Sequence, residues 1–382
     1  MKQEALFGEF AHALAAEALS RAEEIRDDVN TLYIGGGTPS VLPLSAFRQL
    51  TDTISGLSKS LFDEFTVEVN PEDIVEKGHA YVEGLLELGV NRISMGVQSF
   101  DDSVLKFMNR RHSAAEAVRA YAILEEAGVR NISIDLIFGL PQLSIAQWRE
   151  TLDRALSISS RGVLPQHISS YQLSVEPGSM LARMVEKGRW AEASEDVCQQ
   201  QYAILCDTLS AAGYNHYEIS NFARPGFEAI HNSAYWRHVP YVGLGPGAHS
   251  FMSGQSSVRV WNIPNLHAYL DAWRQGDFSS VREGESLSSD QLVLEHLMLG
   301  LRTSNGLPAT YLRSHCDPAA LSRAISLGHL VPTQPSQSSS SLPQNCIQTV
   351  DGFRPADIQD DTFLRIPERH FFISDSIISD LV

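Results

Sequence analysis

Short β-branched runs recur along the first two thirds of the chain, at residues 31–34, 65–69, 92–97, 132–138, 167–173 and 214–219, each separated from the next by a longer segment with helical spacing. That alternation constrains the fold more than any other feature. Strands this far apart cannot close as hairpins, and crossover helices between them force a parallel sheet. The intervening segments fit: in residues 114–127, Ala117, Ala120, Ile123 and Leu124 form one apolar stripe and Gly128 supplies the stop. Five or six βα units predict an α/β chain built on a partial parallel (β/α) barrel.

In such barrels the loops after the carboxyl ends of the strands build the active site. The rule selects the Gly35-Gly36-Gly37-Thr38-Pro39 turn, Glu68 and Asn70, Gln98, Asp135 with Gly139-Leu140-Pro141, and Tyr171-Gln172. Beyond about Val281 the alternation stops. Helices are expected at 290–302, with Leu292, His296, Leu299 and Gly300 on one side, then at 307–315 and 318–328, so the chain divides into a barrel over 1–285 and a small, mainly helical C-terminal domain over 286–382. The Ser- and Pro-rich stretch 335–344 cannot bury enough apolar surface to order itself and is expected to be a mobile loop.

A net charge of −17 opposes binding to nucleic acid, which depends on Lys and Arg displacing counterions. With 43% hydrophobic and 20% charged residues the composition is that of a globular protein. No run of about eighteen apolar residues is present to cross a bilayer. The first thirty residues read as an acidic amphipathic helix, with Leu6, Phe10, Leu14, Ala18 and Ile25 at helical spacing and Glu9, Glu17, Glu23 and Glu24 among them, which is not a signal peptide. Cys198, Cys206, Cys316 and Cys346 follow no framework or C-x-x-C spacing, and a reducing, cytoplasmic setting follows.

Three glycines directly after a strand let backbone groups approach a ligand, although taken alone they are equally a tight turn. They stand in TLYIGGGTPS (31–40), followed in order by VEVNP (67–71), GVQSF (96–100), Asn109-Arg110, DLIFGLP (135–141) and SYQL (170–173). This ordered series resembles the radical S-adenosylmethionine (SAM) proteins of the HemW heme-chaperone type, relatives of the oxygen-independent coproporphyrinogen III oxidases. The resemblance implies that Gly36, Gly37 and Thr38 bind the methionine part of SAM and that Glu68, Gln98, Arg110 and Asp135 surround the rest. The chemistry is coherent: carboxylates accept ribose hydroxyls or an ammonium, Arg110 can pair with the methionyl carboxylate, and Gln98 offers donor and acceptor. Taken singly, Asp135 or Gln98 is equally a satisfied polar group at the barrel mouth.

A second block, YEISNFA (217–223), HNSAYW (231–236) and YVGLGPGAHS (241–250), is similar to HemW rather than to other radical SAM enzymes. In that family the H-N-x-x-Y stretch is associated with heme, which makes His231 the expected axial ligand, with Asn232 and Tyr235 as further contacts. A neutral imidazole suits iron, whereas a lone histidine would be a hydrogen-bonded loop residue. His249 and His112 stay undecided.

Members of the class carry a C-x-x-x-C-x-x-C run holding a [4Fe–4S] cluster, and no such run occurs in these residues. The first helix matches the one following that loop, so the cluster loop and first barrel strand are expected upstream of Met1, and the chain supplies no metal ligands and names no catalytic residue. Substitution by the four cysteines is not expected, because buried free cysteine behaves as a small hydrophobe. The resemblance thus implies a protein that uses SAM and a [4Fe–4S] cluster, binds heme and delivers it to an apo-hemoprotein; dimerisation is open. The alternatives are an oxygen-independent coproporphyrinogen III oxidase, which decarboxylates propionates oxidatively, and a catalytically degenerate binding barrel.

Overall fold

The computed structural model describes residues 2–25, 29–58, 62–253, 257–334 and 358–382, with side chains from residue 6 onward. Helix α1 (Lys2–Ser20) leads into β1 (Thr31–Ile34), α2 (Leu44–Leu57), β2 (Glu64–Val69), α3 (Pro71–Glu87), β3 (Arg92–Gln98), α4 (Asp102–Phe107), α5 (Ala114–Glu126), β4 (Ile132–Phe138), α6 (Ile145–Leu156) and β5 (His167–Gln172). Strands β1 to β5 lie side by side in chain order, every neighbouring pair parallel. The result is a curled half-barrel of the expected α/β class.

Strand alternation gives the barrel two unlike faces. On the outer face Phe65, Val67, Ile93, Met95, Ile132, Ile134, Leu136 and Ile168 are buried in one core with Val82, Leu85, Tyr121, Leu124, Trp148 and Leu152 of the covering helices. Each such side chain contributes on the order of 1.5–3 kcal/mol. Helix ends are set locally: Ser113 with Glu116 and Ser144 with Gln147 form capping boxes, and Gly128, with φ +96°, stops α5.

The strand expected at 214–219 does not continue the parallel sheet. After α7 (Met180–Glu186) and α8 (Glu195–Ala211), β6 (Asn215–Glu218) turns through Ile219 and Ser220 into β7 (Asn221–Ala223). Two residues cannot make a crossover, so the pair is antiparallel, and β7 in turn runs antiparallel to β5, giving the order β1-β2-β3-β4-β5-β7-β6.

Helix α9 (Ile230–Trp236) follows, then β8 (His249–Met252), β9 (Val258–Asn262), α10 (Leu266–Gln275) and β10 (Arg282–Ser286). The three strands form an antiparallel sheet that the βα reading did not anticipate. Its anchor is Glu17 of α1, which is fully buried rather than solvated. Glu17 accepts hydrogen bonds from the Gly245 N–H at 2.8 Å, Asn262 Nδ2 at 2.8 Å and the Tyr269 hydroxyl at 2.6 Å, and pairs with Arg282 at 3.3 Å.

The C-terminal region contains α11 (Ser289–Gly300), β11 (Leu307–Pro308), α12 (Ala309–His315), α13 (Pro318–Ser326), β12 (Val331–Thr333), β13 (Phe363–Arg365) and α14 (Ser374–Ser379). The helix expected from 307 begins two residues later, because Leu307 and Pro308 pair with β13 in a small three-stranded sheet. The loop expected at 335–344 lies outside the described residues. No helix among them is long and apolar enough to cross a membrane.

Candidate functional site

The concave face of the half-barrel is mostly polar. Thr31 and Tyr33 of β1, Glu64, Thr66 and Glu68 of β2, Arg92 and Ser94 of β3, Ser133 and Asp135 of β4, and His167, Ser169 and Tyr171 of β5 alternate with the apolar residues of the outer face. Sequence reasoning selected only the loop ends of this surface. The signal for the rest was the second phase of the strand period, in which every other residue of a buried parallel strand is polar.

At the carboxyl ends of β1 and β2 the glycine turn and Glu68 form one unit. Glu68 accepts the Tyr33 hydroxyl on Oε1 at 2.5 Å and the Gly36 N–H on Oε2 at 2.9 Å. A Cβ on Gly35 would lie 2.3 Å from Tyr33 Cε1 and 2.8 Å from Glu68 Cδ, so only glycine fits there. Gly36 and Gly37 have φ +79° and +66°, and nothing lies within 4 Å of a Cβ on either. The turn therefore presents bare backbone to open space, which fits an incoming ligand with a charged or polar head.

Next to it, Asn70 Nδ2 reaches Thr38 Oγ1 at 3.5 Å, and Gln98 folds back over Gly96, where a Cβ would meet its Nε2 at 2.8 Å. Gln98 has φ +66°, a left-handed conformation costly for a non-glycine residue. Buried His112 braces it: Nε2 lies 3.0 Å from the Val97 carbonyl and Nδ1 3.1 Å from Glu72. Asp135 accepts from the Ser94 hydroxyl at 3.1 Å, and burial pushes its carboxyl up to about 6 against the opposing pull of the Ser169 hydroxyl and the Arg92 charge. Arg110 follows α4, and its side chain has no hydrogen bond or ion pair among the described residues. Gly36, Glu68 and Tyr33 thus form one hydrogen-bonded unit at the strand ends, Asp135 bonds to Ser94 on the same concave face, and Arg110 makes no hydrogen bond or ion pair with any of them.

His231 lies on α9, against the amino-terminal ends of β1 and β2. Buried Glu64 accepts the Ile230 and His231 N–H groups at 2.7 and 3.1 Å, holding the first turn of the helix. The imidazole stacks on Tyr33 with ring centroids 5.0 Å apart and planes 15° from parallel. Both ring nitrogens are occupied, Nδ1 by Thr31 Oγ1 at 2.8 Å and Nε2 by the Tyr235 hydroxyl at 3.0 Å. Burial, the largest cause, holds the ring below its ordinary pKa and therefore neutral. Asn232 donates to Glu218 at 3.2 Å, which also takes the Asn221 amide and the Ser220 N–H; burial pushes this carboxyl up to about 6.

Ligation of an iron–sulfur cluster requires thiolates converging on one point. Cys198 is buried on α8, Cys206 lies eight residues further along the same helix, and Cys316 is buried after α12; burial raises all three thiols, Cys206 to about 12 and Cys316 to about 11. Cys346 lies outside the described residues. The described cysteines do not fit a cluster, and no group of three or more metal-ligating side chains occurs among the described residues.

The family model described as the Radical SAM superfamily matches residues 6–155. The chain is 34% identical over 303 residues to the heme chaperone HemW of Bacillus subtilis, covering 78% of this chain and 76% of that protein. It is 36% identical over 282 residues to HemW of Lactococcus lactis, covering 74% and 71%. Among solved structures, the coproporphyrinogen III oxidase HemN of Escherichia coli, a radical SAM enzyme, superposes with a TM-score of 0.73 at 20% identity over 100% of this chain and 84% of that one, a likeness of fold. With sequence identity of this extent over most of both partners, the chain belongs to the HemW family of radical SAM proteins.

Proposed function

We propose that this protein binds heme through His231 and passes it to apo-hemoproteins. One observation carries the reading: in a member of the HemW family, the H-N-x-x-Y histidine is a neutral imidazole whose Nε2 is held, among the described residues, only by the hydroxyl of half-exposed Tyr235. A neutral nitrogen with a displaceable partner is what iron ligation requires. Tyr33, Tyr235 and Tyr241 supply ring surface around it, the Tyr235 and Tyr241 centroids lying 4.6 Å apart. Thr31 on Nδ1 and Glu64 on the helix amides would hold the imidazole in place while Nε2 changes partner.

Radical SAM membership implies SAM and a [4Fe–4S] cluster as cofactors. Gly36, Gly37, Thr38, Glu68, Gln98, Arg110 and Asp135 are the residues we assign to SAM, with the open glycine backbone toward its methionine end and the carboxylates toward its hydroxyls and ammonium. The heme segment draws on neither cofactor.

The purified chain should bind hemin with the Soret band of histidine-ligated iron, saturating at a single heme per chain. His231→Ala should shift or abolish that band with the far-ultraviolet circular dichroism unchanged. Unsaturable uptake that ignores His231 would defeat the proposal, and a His231→Ala variant that only melts earlier would leave the histidine a structural residue.

A further inference from the structure

Arg92 opens β3 with its side chain on the concave face. Its neighbours Ile93, Met95 and Val97 are buried under the helices, while Ser94, two residues before Gly96, bonds on the concave face to Asp135 of the neighbouring strand. Arg92 is 3% exposed. Its Nε is buried with no hydrogen-bond partner, and its guanidinium has no ion pair among the described residues. The other two buried arginines among those residues each face a carboxylate: Arg21 pairs with Glu24, and Arg365 with Glu368 at 2.8 Å. Arg92 is the exception.

The carboxylates of the lumen are committed elsewhere. Glu64 holds the amides of α9, Glu68 holds Tyr33 and the Gly36 N–H, and Asp135 takes the Ser94 hydroxyl. The Arg92 charge acts on Tyr33, Asp135, His167, Tyr217 and His231 only at a distance, and none of them makes a hydrogen bond or ion pair with it among the described residues. A buried charge without a counter-ion is among the most costly features a fold can carry, and it is tolerable where a ligand completes the pair. The planar guanidinium fork suits a carboxylate, which it can take through two parallel hydrogen bonds.

We propose that Arg92 is an anion anchor in the barrel lumen that receives a carboxylate of the bound ligand. The identity of that ligand rests on the function proposed above, and two sources share the chemistry: a propionate of a porphyrin held at His231, or the amino-acid carboxylate of SAM at the glycine turn.

The test uses the full chain and its Arg92→Gln variant, titrated with hemin, with hemin dimethyl ester and, by calorimetry, with SAM. Loss of a charged hydrogen-bonded pair should weaken hemin about 10- to 100-fold, while the ester, which has no carboxylate, binds both proteins alike. If hemin is unaffected and SAM weakens by a similar factor, SAM is the source and the anchor stands. If neither ligand responds, the anchor is refuted. Should the unchanged chain show no His231-dependent hemin binding, the functional reading fails by itself, and the SAM titration together with the melting temperature still judges Arg92. An anchor waiting for its anion predicts that Arg92→Gln, which removes an unpaired buried charge, melts at or above the unchanged chain. A lower melting temperature with unaltered ligand binding would make Arg92 a structural residue and overturn the proposal.

Discussion

Replacing Tyr235 by phenylalanine removes the one hydroxyl that competes with iron for His231 Nε2. The bond is 3.0 Å long and half-exposed, and the tyrosine ring also packs edge-on against His231 and Tyr241, contacts that phenylalanine keeps. Only the hydroxyl is lost. A net contribution of about 0.5–1.5 kcal/mol for such a hydrogen bond, no longer broken on heme entry, corresponds to hemin binding roughly 2- to 12-fold tighter. Nδ1 remains on Thr31, so the ring should stay neutral and oriented, and the Soret maximum should be unchanged. Hemin titrations of the two proteins at pH 7, at equal ionic strength, measure the ratio directly. Binding weakened several-fold would refute the reasoning, because it would mean that the hydroxyl holds the heme or its ligand rather than blocking it.

Two further outcomes follow from buried carboxylates. Glu17→Ala leaves the Gly245 N–H and Arg282 without their carboxylate, removes the short bond from Tyr269 and one of the two acceptors of Asn262, and should cost about 3–5 kcal/mol in urea unfolding; a loss under 1 kcal/mol would mean that water replaces Glu17. Glu218 is held up at about 6 in the fold, above its ordinary value of 4.5, so the stability linked to its proton is full below 4.5 and is lost as pH rises through about 6. Glu218→Gln removes that dependence, and relative to the unchanged chain it should gain about 2 kcal/mol between pH 4.5 and 7; parallel stability curves would show that Glu218 does not titrate there.

The parallel sheet was legible because its outer face is written in unbroken phase: Phe65, Val67 and Val69, or Ile132, Ile134 and Leu136, can only be strands buried on that side. The loop ends were legible because glycines and an Asn-Pro pair mark where strands stop. The lumen was less so, since Arg92 and His167 each merely open an expected strand, where nothing local marks a polar residue as buried, and both are buried in the fold. Glu17 was read only as one of the acidic residues of an amphipathic helix, because nothing local distinguishes it from Glu9 or Glu23. Its burial is decided by Gly245, Asn262 and Tyr269, more than two hundred residues away in sequence. The same distance hid the sheet of β8, β9 and β10, whose last strand begins beside Val281, a residue packed in one cluster with Ala13 of α1 and Tyr269 and Leu270 of α10. Chain-local patterns also favoured a sixth parallel strand beside β5, a place that the two-residue turn at Ile219 and Ser220 gives instead to antiparallel β7.

The bonds from Glu17 and Arg21 to the loop at 243–250 carry a consequence for how the molecule opens. Amides of α1 and of the β8–β10 sheet cannot become accessible independently, because releasing either end exposes the same buried carboxylate. Hydrogen exchange in these two regions should proceed as one cooperative event, even though the half-barrel lies between them in the chain. The first helix is thus thermodynamically part of the last sheet before α11, and the segment that carries His231 is enclosed within that closed loop of chain.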